Sequence, residues 1–202
     1  MKNNYYIAYE KEWKGLKKRK PEDVADIANI SYCKIKNQFK VPFLNLNYIL
    51  DCNNESIYRE SDGYIPDIES SIMILNYLTF SKLFHVPNNN WVSLKEIPNG
   101  GALFYPAFYK SSILELIKSF GKDLKKFERS SKALNGIPTT LGDASYIFKV
   151  FPKVMICVVL WEGDEEISPN ATILFKPSIE HLMHIESIIG LGSYIAGKLI
   201  KY

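Results

Sequence analysis

The sequence predicts an α+β fold, antiparallel sheets packed with helices in a single domain over residues 1–202. Three observations carry that expectation. Strand-like patterns gather mainly in two regions, as short apolar–polar alternations from Ser31 to Tyr58 and as a strand pair or small sheet from Tyr146 to Phe175. Helical periodicity occupies the stretches between and around them. Strands grouped apart from helices favour α+β over an alternating α/β chain.

Taken in order, Tyr5, Tyr9, Trp13 and Leu16 recur at helical spacing and predict a first amphipathic helix. Pro21 opens a short second helix with Val24, Ala25 and Ala28 inward and acids in its first turn. Ser31 to Tyr58 reads as a meander of about three antiparallel strands, punctuated by Asn37-Gln38 and Asn53-Asn54 and closed by Asp62-Gly63 and Pro66. Asp67 can cap a long helix running to Phe84, apolar over most of its girth and therefore central. Pro87 to Asn90 is expected to be a loop, and Trp91 to Leu94 a strand ending at Pro98-Asn99-Gly100-Gly101.

Ser112-x-x-Glu115 is a capping box opening a helix that Gly121 ends. Another helix follows from Asp123 to Leu134, with Lys122, Lys125, Lys126 and Arg129 facing out. Tyr146 to Val150 is a strand. Lys153 to Trp161 is a nearly continuous apolar strand, hence expected to be buried on both faces. Ala171 to Phe175 is its antiparallel partner, and the apolar stretch Ile185 to Ile200, interrupted by Glu186 and Lys198, is a packed helix.

Composition narrows the functional classes. A hydrophobic fraction of 47% and a charged fraction of 23% sit near globular averages. A net charge of +3 gives no basic excess of the kind nucleic-acid binders carry, so Lys17-Lys18-Arg19-Lys20 reads as a solvated helix end. Cys33, Cys52 and Cys157 have no close spacing, which argues against a disulfide framework, a zinc knuckle or a self-contained iron–sulfur site. The start Met1 to Tyr5 lacks the apolar core of a signal peptide, and Val154 to Trp161 is too short to span a bilayer. The expected setting is cytoplasmic, with neither membrane nor nucleic acid as partner.

Chemistry concentrates in four places. Trp161-Glu162-Gly163-Asp164-Glu165-Glu166 delivers four carboxylates into one loop after an apolar strand. Such crowding raises carboxyl pKa values unless a metal, an amine or a basic partner relieves it, or water screens it. Glu180-His181-Leu182-Met183-His184 places two histidines three apart, on one face if helical. It is not the His-Glu-x-x-His zinc signature, and with no third or fourth ligand evident no metal site is assigned. Gly100-Gly101 followed by Leu103 to Tyr109, with Tyr105 among its aromatics, suggests a pocket or a tight turn before core residues. Asp143 after Gly142 is an acid, a base or a turn cap. No Gly-x-Ser-x-Gly elbow and no phosphate-binding loop is present.

Several of these features recur together. Tyr9-Glu10 with Trp13, Trp91-Val92-Ser93, Glu96-Ile97-Pro98, Gly100-Gly101-Ala102, Gly142-Asp143 and Phe151-Pro152 stand in order. They are followed by Val159 to Glu166, Ile173-Leu174-Phe175 and His181. Over nearly its whole length the chain resembles the domain of unknown function 3786 family of anaerobic bacteria and archaea. The Trp-Glu-Gly-Asp-Glu-Glu stretch is the most specific part of the match. Longer members look like fusions to a four-cysteine iron–sulfur domain, which implies a setting in anaerobic corrinoid or one-carbon metabolism. This chain lacks that cysteine-rich extension. Trp161, Asp164, Glu165 and His181 match the family pattern, whereas His184 stands where a non-ligand is expected.

The leading expectation is an accessory protein that binds a small molecule or cofactor and serves an anaerobic metabolic enzyme. A tetrapyrrole such as a corrinoid would lie on Trp161, Phe104, Tyr105 and Phe108, with His181 as axial ligand or donor. The alternative is an acid/base or metal-assisted hydrolase in which Asp164 or Glu165 works with His181 on a water, bound to a divalent metal or not. A third reading is an interaction module presenting the acidic loop or the basic face of Lys122 to Lys132.

Overall fold

The computed structural model describes residues 4–84 and 90–202. Helix α1 (Asn4–Leu16) and helix α2 (Pro21–Ala28) come first, and α2 ends at Asn29 in the left-handed region (φ 54°). A meander follows: β1 (Ser31–Cys33), β2 (Gln38–Phe43), β3 (Leu46–Asp51) and β4 (Ser56–Arg59), in that spatial order and antiparallel throughout. It has four strands rather than about three. Asp51 builds the turn between β3 and β4. Its carboxylate accepts from Gln38 Nε2 at 2.9 Å and from the backbone N–H groups of Asn53 and Asn54 at 2.9 and 3.1 Å.

Helix α3 (Ile68–Phe80) is capped by Asp67, whose carboxylate accepts from the Ser70 N–H at 2.8 Å. It stops at Phe80, short of the expected Phe84. The Arg19 guanidinium donates to the carbonyls of Leu78 and Thr79 at 2.7 and 2.9 Å. Those terminal acceptors are thereby satisfied without another helical turn. Of the expected loop Pro87 to Asn90, residues 87–89 lie outside the described residues. The strand expected at Trp91 to Leu94 shrinks to β5 (Val92–Ser93), because Ser93 and Glu96 cap a 3₁₀ turn over Leu94–Glu96.

The aromatic stretch after Gly100 is helix α4 (Gly101–Phe108). It continues through a π turn (Tyr109–Ile113) into α5 (Leu114–Phe120). Ser112 therefore sits inside a helix and caps nothing. It is buried, and its hydroxyl lies 3.0 Å from that of Ser193. Helix α6 (Leu124–Ala133) forms where expected, with Asp123 as its cap, accepting from the Lys126 N–H at 2.8 Å.

The second sheet contains β6 (Ile137–Thr139), β7 (Ala144–Phe151), β8 (Val154–Trp161) and β9 (Asn170–Phe175) in the order β5-β9-β8-β7-β6, all antiparallel. A 3₁₀ turn (Pro177–His181) leads to helix α7 (Ile185–Lys201). On the inner face of this sheet Tyr146, Phe148, Ile156, Val158, Leu160, Ile173 and Phe175 are all at most 5% exposed. Helices cover them: Phe127 meets Tyr146 and Phe108 meets Phe175. The outer face differs. Met155 and Trp161 are 41% and 39% exposed, so β8 is buried at Val154 and from Ile156 to Leu160 but not throughout.

One continuous cluster of buried side chains joins the two sheets and the helices. At its seam Phe151 stacks on Phe43 and on Tyr77, with ring centroids 4.9 and 4.4 Å apart. The Tyr77 hydroxyl donates to the Ala28 carbonyl at 2.6 Å, tying α3 to the end of α2. No helix among the described residues is long and apolar enough to cross a membrane.

Tyr77→Phe leaves the buried Ala28 carbonyl without its donor, and should lower the unfolding free energy in urea by about 1–3 kcal/mol. Asp51 predicts the acid limb of stability. Its hydrogen bonds, first that from Gln38, hold its carboxyl below the ordinary carboxylate range. A folded-state pKa below the unfolded one stabilises at neutral pH, and that contribution fades as pH falls through the depressed value. Acid titration of Asp51→Asn, followed by circular dichroism, should show a shallower loss of stability below about pH 4 than the parent chain.

Candidate functional site

The structure separates the residues that the sequence marks into three places. At one end of the second sheet Trp161, Glu162, Asp164, Glu165 and Asp143 gather, because the β7 and β8 strands begin and end there. The Asp143 carboxylate accepts from the Glu162 N–H at 2.8 Å. Asp164 accepts from the N–H groups of Glu166 and Ile167 at 2.8 and 2.7 Å, and these bonds hold its carboxyl below the usual range. Both aspartates are thus turn formers first. Glu162, Glu165 and Glu166 are exposed to water, which screens their repulsion. Gly142 makes the turn possible. Its φ is +59°, and a Cβ there would sit 2.6 Å from Val159 and 2.7 Å from the Leu160 carbonyl.

His181 lies elsewhere. Trp161 pairs with Asn170, whereas the strand leading to His181 ends at Phe175 opposite Ile156. Five rungs separate those pairs, roughly 17 Å along the strands. The acidic loop and His181 therefore do not converge. Nor do His181 and His184 share a helix face. The first closes the 3₁₀ turn, and the second is the N-cap of α7, in extended conformation (ψ 151°). The His181 ring stacks on Phe84 and His184 meets Phe80 edge-on. Each imidazole has its own carboxylate, Glu180 at 3.8 Å for His181 and Glu186 for His184. Among the described residues no group of three or more His, Cys, Asp or Glu side chains could hold a metal ion.

Gly100 and Gly101 start α4 against a tight turn. Gly100 has φ +121°, and a Cβ on Gly101 would lie 2.0 Å from the Leu94 carbonyl. Tyr105 is half-buried, with the Lys95 ammonium 4.3 Å from its ring centre, and Phe108 is wholly in the core. The turn borders a cavity of about 400 Å³ shared by Phe80, Asn99, Glu180, His184 and Ile188.

A cleft of about 800 Å³ opens between α1, the N-terminal half of α3 and the first half of α7. Ile68, Ile72, Met73, Ile189 and Gly190 contribute an apolar floor. Gly190 admits Met73, whose sulfur would be 3.3 Å from a Cβ at that position. Tyr194 lies against Phe43 (4.7 Å between ring centres), and burial pushes its phenol up. Asp67, Glu69, Glu186, Ser70, Ser187 and Ser193 supply the polar part of the lining. Glu69 accepts from the Tyr5 phenol and raises its pKa. No Lys or Arg side chain lines the cleft among the described residues.

None of these cleft residues is marked by a motif. The signals available were the apolar girth of α3 and the glycines of α7, and both point as well to plain packing.

The sequence model for the domain of unknown function family DUF3786 matches residues 20–198, and the chain belongs to that family. No curated protein and no solved structure matches it.

Replacing Gly142 with alanine tests the turn under the acidic loop. The left-handed backbone and the contacts with Val159 and Leu160 should cost about 1–3 kcal/mol, read as a lowered urea midpoint with an unchanged slope.

Proposed function

We propose that the chain is a small-molecule-binding protein whose ligand lies in the cleft between α1, α3 and α7. The observation that carries this reading is the chemistry of that cleft, about 800 Å³ in volume, with an apolar floor beside acceptors and no lining cation among the described residues. Ligand sites of this size are mostly apolar with a few placed polar groups. Carboxylates and hydroxyls favour a ligand with an apolar body and an ammonium or amide N–H end. A carboxylate has several lone-pair positions, so Glu69 and Glu186 retain acceptor capacity beyond their present partners.

The corrinoid that the family resemblance implies has amide donors around an apolar macrocycle and is the first compound to test. No histidine or cysteine lines the cleft among the described residues. A macrocycle there would be held by its edges rather than through its metal. The acid–base reading needs Asp164 or Glu165 to reach His181, and the sheet holds them at opposite ends.

The test is thermal unfolding with cobalamin and with a panel of apolar amines and amides. A ligand at a hundred times its Kd adds about 2.7 kcal/mol, which for a chain of this length raises Tm by roughly 5–10 °C. Ile72→Trp, which fills the half-exposed floor, should abolish that rise without lowering the ligand-free Tm. Glu69→Gln should weaken amines more than amides. A panel without any shift, together with a bare chain mass in native mass spectrometry of anaerobically purified protein, would rule the reading out.

A further inference from the structure

The outer face of the second sheet is built unlike the rest of the surface. Alternation along β8 puts Met155, Cys157, Val159 and Trp161 on it, and the strand register adds Ile147, Lys149, Ile137, Thr172 and Leu174. Helices pack on the inner face through Phe108 and Phe127; among the described residues none covers the outer one. Ile137, Met155 and Trp161 are 62%, 41% and 39% exposed on it, while Ile147 and Leu174 are half-buried. Cys157 and Val159 at its middle are already covered by their neighbours. The stripe is apolar along its length and charged at both ends, with opposite sign. Glu162, Asp164, Glu165 and Glu166 stand beyond Trp161, and Lys149 stands opposite Met155.

We infer that a second copy of this chain docks on this face, with the two-fold axis in the contact plane, crossing over the middle of β8. The stripe is complementary to itself only in that arrangement. Trp161 and Met155 are six residues apart on one strand, roughly 20 Å. A half-turn about an axis above their midpoint and perpendicular to the strand sets Trp161 of each copy over Met155 of the other, a favourable sulfur–aromatic contact. The same rotation brings each acidic loop to the other copy's Lys149. Isologous contacts of this kind need one self-complementary patch and close without forming fibres. Six-residue spans of β7, β8 and β9 with the two residues of β5 and three of β6 present roughly 350 Å² per copy, so about 700 Å² in total, below standard interfaces and in the range of weak, transient contacts. The association is accordingly weak, with a Kd on the order of 100 µM.

Sedimentation velocity from micromolar up to roughly 0.5 mM reads it directly. The weight-average mass should climb from 23.2 kDa toward twice that value. Added salt should oppose the climb, because the end-to-end charge pairs are exposed. Met155→Glu sets a carboxylate against the other copy's acidic end and should weaken association by at least about tenfold. Its position is exposed, so circular dichroism and Tm should stay at the parent values. Lys149→Glu should weaken association as well, and Lys149→Glu with Glu165→Lys should restore it, which a purely structural effect would not do. A single chain mass across the whole range would overturn the inference and leave the face to a different protein. So would a dimer indifferent to Met155→Glu, or a charge-reversed pair that fails to recover.

Discussion

The two sheets of this protein meet at an aromatic seam, and helices α3 and α7 pack against it. Phe43 ends β2 and Phe151 ends β7, and their rings stack at 4.9 Å. Tyr77 of α3 stacks on Phe151 from another side, and Tyr194 of α7 on Phe43. Aromatic pairs in such geometry each contribute about 0.5–1.5 kcal/mol beyond the area they bury. The backbone takes part as well. Leu44 adopts φ +54°, a conformation uncommon for leucine, and its N–H donates to the Val150 carbonyl of the other sheet at 2.7 Å. A turn that would otherwise relax is held by a bond across the seam.

The cleft follows from that seam. With Tyr194 fixed against Phe43, the first half of α7 must run past α3, and Gly190 sets how near it comes to Met73. Asp67 caps α3 at the same end and so stands beside the opening. The buried Asn76 adds a polar tie, accepting from the His184 N–H at 2.9 Å and donating to Glu12 at 3.2 Å. Helices α1, α3 and α7 are thereby fixed relative to one another. A cavity between helices fixed in this way is largely pre-formed, so a ligand need not supply the ordering of its own site.

Local rules made much of the fold legible in the sequence. Asp67 caps the helix it precedes, Pro21 opens α2, and β8 pairs with β9 as an antiparallel partner. Each of these depends on residues close in sequence or on a strong period. The failures came where a distant group decided the outcome. Arg19 ends α3 early by taking its last carbonyls, and Ser112 looks like a cap until Ser193 is brought against it. The site was less legible than the fold. Asp143 and the acidic loop do meet, joined by the Glu162 N–H, and their place at a strand end is readable. That His181 leaves from the opposite end is a matter of strand register, which spacing along the chain does not encode. The cleft was invisible for a related reason, since its walls come from helices far apart in sequence and its residues differ in type from core residues hardly at all.

The acidic loop carries the most specific part of the family resemblance read from the sequence, and the fold gives it a turn-forming role. Strand β8 is paired on both sides, by β7 and β9, and its apolar run has to stop where the sheet meets water. Here β8 leaves the core at Trp161, and within three residues the chain has turned. Asp143 holds the Glu162 amide, Gly163 donates to the Gly121 carbonyl at 3.0 Å, and Asp164 gathers the amides of Glu166 and Ile167. Glycine is required at 142 because Val159 and Leu160 leave no room for a Cβ. Turn chemistry of that kind constrains Gly142, Asp143, Gly163 and Asp164 tightly and Glu165 and Glu166 hardly at all, since neither glutamate side chain is needed to form the loop. What the two glutamates add is charge at the end of an apolar stripe, and charge placed there acts on whatever approaches the outer face rather than on the fold beneath it.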